Sequence, residues 1–140
     1  MEALAAFGFA ANIVQFIELG CKLVSTVVEI HQSVEGTTGE NADVLLLIER
    51  LEISSGKLEA EAKRLDGYES LCALCVQCQG LSQELLQICS SLKSKKPGST
   101  RESVRIAIRS WRKQDSILSI HKRLGEYRQQ ILLEISLLIK

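Results

Sequence analysis

The sequence predicts an all-α fold, a helical bundle of four to five helices around an aliphatic core. Three observations carry this. Leu, Ile, Val, Ala, Glu, Lys, Arg and Gln dominate the 140 residues, and these side chains favour helix. Proline occurs once, at Pro97, so few points forbid a continuing helix. Apolar residues also recur at helical spacing in one segment after another. The length suits one domain with a real core and not two. A composition 46% hydrophobic and 24% charged is that of a folded globular chain.

The first helix is expected from Glu2 to about Val34. It opens on MEALAAFGFAANIVQFIELG, in which no charge lies between Glu2 and Glu18. Its later part keeps apolar residues at Cys21, Leu23, Val24, Val27 and Val28, while Gly8 and Gly20 are points where it is expected to bend or break. Gly36 suits a C-cap, and Thr37 with Glu40 fits a capping box. The second helix, about Glu40 to Leu65, carries Val44, Leu47, Ile48, Leu51, Leu58 and Leu65, with a weak stripe around Ser54-Ser55-Gly56. Asp66 is the expected N-cap of the third helix.

That third helix has the cleanest pattern. Leu71, Leu74, Cys78, Leu81, Leu85, Ile88 and Leu92 alternate steps of three and four, an a/d seam expected to pack inside the bundle. Lys93 to Thr100 reads as a loop, and Ser99 with Glu102 as a second capping box. A short helix with Val104, Ile108 and Trp111 follows. The last helix runs from about Asp115 with Ile117, Ile120, Leu124, Tyr127, Ile131 and Leu138 on one face. Its uncapped end at Lys140 predicts a domain belonging to a longer chain.

Net charge is zero, but it is unevenly distributed: −6 over residues 1–60, −2 over 61–92 and +8 over 93–140. Such a bundle has an acidic and a basic flank, which suits self-association as well as an acidic partner. Met1-Glu2 offers no basic n-region and Gly20-Cys21-Lys22 is a poor cleavage site, so no secretory signal is expected. The five cysteines, Cys21, Cys72, Cys75, Cys78 and Cys89, are therefore expected to be reduced thiols.

No phosphate-binding GxxxxGK[ST], no GxGxxG after a strand and no HExxH occurs. His31 and His121 are far apart, on helices, with no nucleophile beside them. The sequence predicts no enzyme, no catalytic residues and no cofactor.

Three features remain as candidates. The first is Cys72, Cys75 and Cys78, whose CxxCxxC spacing resembles a metal tract with Cys89 as fourth ligand. Inside a helix, however, Cys72 and Cys78 stand about 9 Å apart along the axis. Packing as small hydrophobes is the preferred reading, ahead of redox sensing and then metal. The second is a basic tract. Lys95, Lys96, Arg101, Arg105, Arg109 and Arg112, with Lys93 and Lys113, surround a helix whose other face carries Trp111. It reads as a solvated face opposing the acidic first half, or as a surface for anionic lipid or a partner. Nucleic acid is disfavoured, because no aromatic residues interleave with the cations to stack bases.

The third candidate is the N-terminal helix itself. Glu2 to Leu19 as helix spans about 27 Å, near the ~30 Å hydrocarbon core. Alanine, Asn12 and Gln15 make it too weak for a standing anchor. It is nonetheless too apolar, on nearly all sides, for an ordinary surface helix, so a soluble bundle has to bury it.

Several stretches carry a family resemblance. They are the Leu-Ala-rich opening, Ala11-Asn12-Ile13-Val14-Gln15-Phe16-Ile17-Glu18-Leu19-Gly20, Lys22-Leu23-Val24, Ser110-Trp111, Lys122-Arg123-Leu124 and Arg128-Gln129-Gln130-Ile131-Leu132. Over nearly the whole chain they resemble the HeLo-like N-terminal domain of fungal NOD-like (STAND) receptors. The resemblance implies a bundle placed before a NACHT or NB-ARC nucleotide-binding module and a repeat sensor. It implies a role in programmed cell death, incompatibility and defence, through oligomerisation and delivery of the N-terminal helix to the plasma membrane. Carried onto this chain, the membrane-active residues are Leu4, Phe7, Phe9, Ile13, Val14, Phe16 and Ile17. Glu2 and Glu18 are candidate pore-lining or regulatory acids. A related bundle that only self-associates or recruits a partner is the alternative expectation.

Overall fold

The computed structural model describes residues 2–32, 44–64, 67–93, 108 and 114–139. They form four helices and no strand: α1 (Glu2–Gln32), α2 (Val44–Arg64), α3 (Glu69–Lys93) and α4 (Gln114–Ile139). The expected all-α bundle is the observed fold.

Each helix buries one side. α1 turns Phe9, Ile13, Phe16, Ile17, Leu23, Val24, Val27 and Ile30 inward, and α2 turns Val44, Leu47, Ile48, Leu51 and Leu58 inward. Ser54 fills the weak part of the α2 stripe and is buried too. From α4 come Ile117, Ile120, Leu124 and Ile131, with Tyr127 and Leu138 packed at the margin. Gly8 and Gly20 do not interrupt α1 as expected. A mid-helix glycine costs only about 1 kcal/mol, and the buried face on both sides of each outweighs that.

α1 packs most extensively on α4 and α2; α2 packs on α3 and α3 on α4, so neighbours in the chain are neighbours in space. The direction of each helix follows from which residues meet. Asn12 near the start of α1 meets Glu61 near the end of α2. A short connection containing Gly67 at φ 91° returns the chain into α3; this left-handed conformation is one glycine adopts without strain. Glu84 on α3 meets Arg123 on α4, and Ser70 and Leu71 share a groove with Leu137 and Leu138. The bundle therefore runs up, down, up, down. The start of α1, the end of α2, the start of α3 and the end of α4 share one end.

The boundaries differ from expectation at one cap. The Tyr68 carbonyl accepts the first helical hydrogen bond of α3, from the Cys72 amide at 3.0 Å. The cap is therefore Tyr68, two residues after the expected Asp66. The α3 seam also differs. Leu71, Leu74, Cys78, Leu81 and Leu85 are buried as expected, but Ile88 is only half-buried, and Cys75, Ser82 and Cys89 are buried instead. α3 lies between α2 and α4, so its covered face is wider than a two-position seam. Gly36, Thr37, Glu40, Leu65, Asp66 and the Ser99–Glu102 capping box lie outside the described residues. So do Val104 and Trp111 of the expected short helix, of which Ile108 is described as helical and fully buried.

Candidate functional site: the first helix

α1 is the centre of the core. Of the seven residues expected to be membrane-active, Phe9, Ile13, Phe16 and Ile17 are fully buried in the bundle, Phe7 and Val14 are half-buried, and Leu4 stands 74% exposed. Burying a large aliphatic or aromatic side chain contributes roughly 1.5–3 kcal/mol. The four buried ones together therefore hold α1 in place by on the order of 10 kcal/mol.

The outward line of α1 steps by four and three through Leu4, Gly8, Ala11, Gln15, Glu18, Lys22, Ser25 and Glu29, all exposed. Leu4 and the small Gly8 and Ala11 form it before residue 15, and polar side chains from Gln15 on. Over the stretch expected to be apolar on nearly all sides, Glu2 to Leu19, this line carries Leu4, Gly8 and Ala11 before Gln15 and Glu18. The helix has a wet side, and its first part is apolar or small. The expectation that a bundle must bury the helix is met on its other side.

Among the described residues α1 is the helix long and apolar enough to cross a membrane. Its Leu4–Ile30 stretch covers 27 residues with a mean hydropathy of 1.5, and 39% of its 18-residue apolar window is buried in the bundle.

One polar contact fastens its apolar half. Asn12 Nδ2 donates to Glu61 Oε1 of α2 at 2.6 Å, in a partly buried position. Beside it Ala5, Gly8, Glu61 and Arg64 line a shallow cavity of about 370 Å³. One helical repeat further on, Gln15, Leu19, Arg50, Ile53, Ser54 and Lys57 line another of about 250 Å³. Glu18 is exposed. The Glu2 side chain lies outside the described residues, as do Lys95, Lys96, Arg101, Arg105, Arg109 and Arg112.

At its middle α1 also comes close to α4. A Cβ on Gly20 would lie 3.2 Å from both methyl groups of Leu124. Next along α4, Arg123 holds Glu84 of α3 with two parallel hydrogen bonds, 3.1 and 3.0 Å. That fork holds the Glu84 carboxyl below the usual carboxylate range. Both side chains are largely in water, so the pair orients α3 against α4 more than it stabilises them.

The thiols are core groups. Cys75, Cys78 and Cys89 are buried; Cys21 and Cys72 are half-buried, and none of the five is joined in a disulfide. Burial pushes Cys75 up to about 11, with Cys72 and Glu61 adding to the shift. Burial likewise pushes Cys78 and Cys89 up to about 12. The Cys75 thiol donates weakly to the Leu58 carbonyl at 3.7 Å. Metal ligation and nucleophilic attack both need thiolate, the form these sites disfavour. Among the described residues no group of three His, Cys, Asp or Glu is placed to hold a metal ion.

Glu61 and Glu84 were not singled out by pattern. The signal for the first was Asn12, an amide in an apolar run that needs a partner once covered; nothing local indicates which residue supplies it. No protein-family model, no curated protein and no solved structure matches the chain.

Proposed function

We propose that this domain is a cell-death effector of the fungal NOD-like receptor type, which oligomerises and inserts α1 into the plasma membrane. The observation that supports this reading is the double character of α1: long and apolar enough to span a bilayer, yet packed as the core of the bundle. At rest the domain is cytoplasmic and α1 is core. On activation, a nucleotide-binding module elsewhere in the full-length receptor gathers several copies. The released helix then exchanges bundle contacts for lipid and for neighbouring copies, which close-packing Gly8 and Ala11 on its outward line, with exposed Ala5 beside it, permit. Such a switch needs the released state to recover the roughly 10 kcal/mol that holds α1 in the bundle. Anionic lipids meet the basic face of Lys95, Lys96, Arg101, Arg105, Arg109 and Arg112. Glu2 and Glu18 bracket the inserted segment. Nucleic acid and catalysis have no part.

A second reading is favoured by one observation: Phe9, Ile13, Phe16 and Ile17 are wholly buried. In that reading α1 is only core, and the domain is a passive oligomerisation or adaptor module.

Leu4 separates the two, because Leu4→Glu charges the helix without touching the core. The domain is expressed in fungal cells and added to anionic liposomes, with Leu4→Glu and Ile13→Glu alongside. The membrane reading expects killing and leakage by the parent, and loss of both in Leu4→Glu while circular dichroism stays unchanged. A parent that neither kills nor leaks liposomes, or a Leu4→Glu variant as active as the parent, refutes it. Ile13→Glu unfolds the resting domain in either reading.

A further inference from the structure

Midway along their contact, α1 and α2 form a groove whose charged groups are both cations. Gln15 and Leu19 of α1 line one side, and Arg50, Ile53 and Lys57 of α2 the other, around the cavity of about 250 Å³. Ser54, which is buried, lies between the two cations. Arg50 and Lys57 are seven residues apart, so they share a face of α2 and stand about 10 Å apart along it. Both side chains are long enough to converge over Ser54. Asn12 is level with Glu61 and the helices run antiparallel, so Lys22 comes about level with Leu51, alongside Arg50. Lys22 is exposed, on the same outward line of α1 as Gln15.

The nearby acids are engaged or face elsewhere. Glu61, one turn past Lys57, accepts from Asn12. Glu18 lies on the α4 side of α1, where it and Arg128 act on the Cys21 thiol. Glu49 and Glu52 stand about 100° and 160° around α2 from Arg50. Among the described residues neither Arg50 nor Lys57 is in a salt bridge.

We infer that this groove binds a phosphomonoester, with the phosphate between Arg50 and Lys57, the Gln15 amide and Ser54 hydroxyl donating to its oxygens, and Lys22 at the rim. Three features select this ligand. A phosphomonoester carries about −1.5 to −2 charges at pH 7, which matches the two cations; a carboxylate leaves one unmatched. A guanidinium fork beside an ammonium suits an anion with three terminal oxygens. The cavity is also below the roughly 300–1,000 Å³ of sites for drug-sized ligands, so it suits a small anion. Because the donors come from both helices, the bound anion ties α1 to α2 and stabilises the bundle by mass action. The phosphate belongs either to a soluble organic phosphate or to a lipid headgroup such as phosphatidic acid, for which Ile53, 55% exposed at the rim, is an apolar neighbour.

The inference goes beyond the proposed function and its binding test needs no membrane. Amide NMR spectra of the 140-residue chain are recorded with glycerol 3-phosphate at constant ionic strength. Saturable shifts are expected at Gln15, Arg50, Ser54 and Lys57, with a dissociation constant on the order of 1 mM, and the ligand is expected to raise the urea midpoint. Arg50→Gln with Lys57→Gln changes exposed positions and keeps the helical dichroism. It is expected to weaken binding at least tenfold and to abolish the midpoint rise. Lys63→Gln with Lys122→Gln removes the same charge from exposed positions elsewhere and is expected to bind as the parent does. Shifts that do not saturate, an Arg50–Lys57 variant that binds like the parent, or a control that loses as much overturns the inference. Sedimentation with phosphatidylcholine vesicles, with and without phosphatidic acid, separates the two sources. Pelleting that requires phosphatidic acid and is lost in the Arg50–Lys57 variant assigns the lipid headgroup; no pelleting, or pelleting that the variant retains, assigns the soluble phosphate. The liposome leakage result is read separately, so the anion site and the membrane step fail independently.

Discussion

Asn12 and Glu61 meet across the α1–α2 interface, 49 residues apart in the chain, through a 2.6 Å hydrogen bond from amide to carboxylate. Asn12 and Gln15 are the amide side chains between Glu2 and Glu18. Gln15 is exposed, whereas Asn12 is half-buried and bonded. A charge-assisted bond of this kind contributes about 1.5–3 kcal/mol when shielded and less where water reaches it.

Asn12→Ala is therefore expected to lower stability by about 1–2 kcal/mol, since it also strands a partly covered carboxylate. Glu61→Gln retains an acceptor oxygen and is expected to cost less than half as much. Urea unfolding of both singles and of the double variant gives the coupling, expected near 1 kcal/mol. Additive losses would show that the two side chains stabilise the fold separately.

Much of the bundle was legible in the chain. The steps of three and four through Leu71, Leu74, Cys78, Leu81 and Leu85 mark the buried line of α3, because a side chain's direction on a helix is set by local geometry. Ile117, Ile120, Leu124 and Ile131 do the same for α4. What escaped depends on distant neighbours. Cys75, Ser82 and Cys89 are covered because α3 is flanked on two sides, and Ile88 packs against the core only at its margin. The outward line of α1 escaped for another reason: Gly8 and Ala11 are as compatible with water as with a core. The role of α1 follows from neither pattern nor packing, since a buried helix and a conditional membrane helix share the same residues.

Gly20 and Gly8 test how tightly α1 is held. Both are helical, and replacing glycine by alanine in a helix gains roughly 0.5–1 kcal/mol where space allows. Nothing stands within 4 Å of a Cβ at Gly8, whereas at Gly20 the Leu124 methyls stand at 3.2 Å. Gly8→Ala is expected to raise the urea midpoint. Gly20→Ala is expected to be close to neutral, because Leu124 must give by a few tenths of an ångström. Gly20→Leu is expected to cost about 1–3 kcal/mol by overpacking, and Leu124→Ala to return part of it. A Gly20→Leu variant as stable as the parent would mean that α1 and α4 are not held at this distance.

The buried thiols predict an alkaline limit to stability. Folding raises Cys78 and Cys89 from an ordinary thiol value near 9 to about 12, chiefly by removing water. A group whose pKa is higher in the folded state binds its proton more tightly there. Between about 9 and 12 the unfolded chain has released these protons and the folded chain has not, so stability falls as pH rises through that window. Below about 9 both states are protonated and the contribution is constant. Unfolding free energies measured from pH 7 to 11 are thus expected to be flat and then to decline. Lysines and tyrosines titrate in the same range, so the parent is compared with Cys78→Ala and Cys89→Ala. Each variant is less stable at pH 7, because it leaves a small void, but its decline is shallower. Equal slopes in parent and variants would mean that these thiols reach water in the folded protein. The same burial predicts that Cys75, Cys78 and Cys89 resist iodoacetamide at pH 8 until urea unfolds the bundle, a difference that mass spectrometry of the alkylated peptides reads directly.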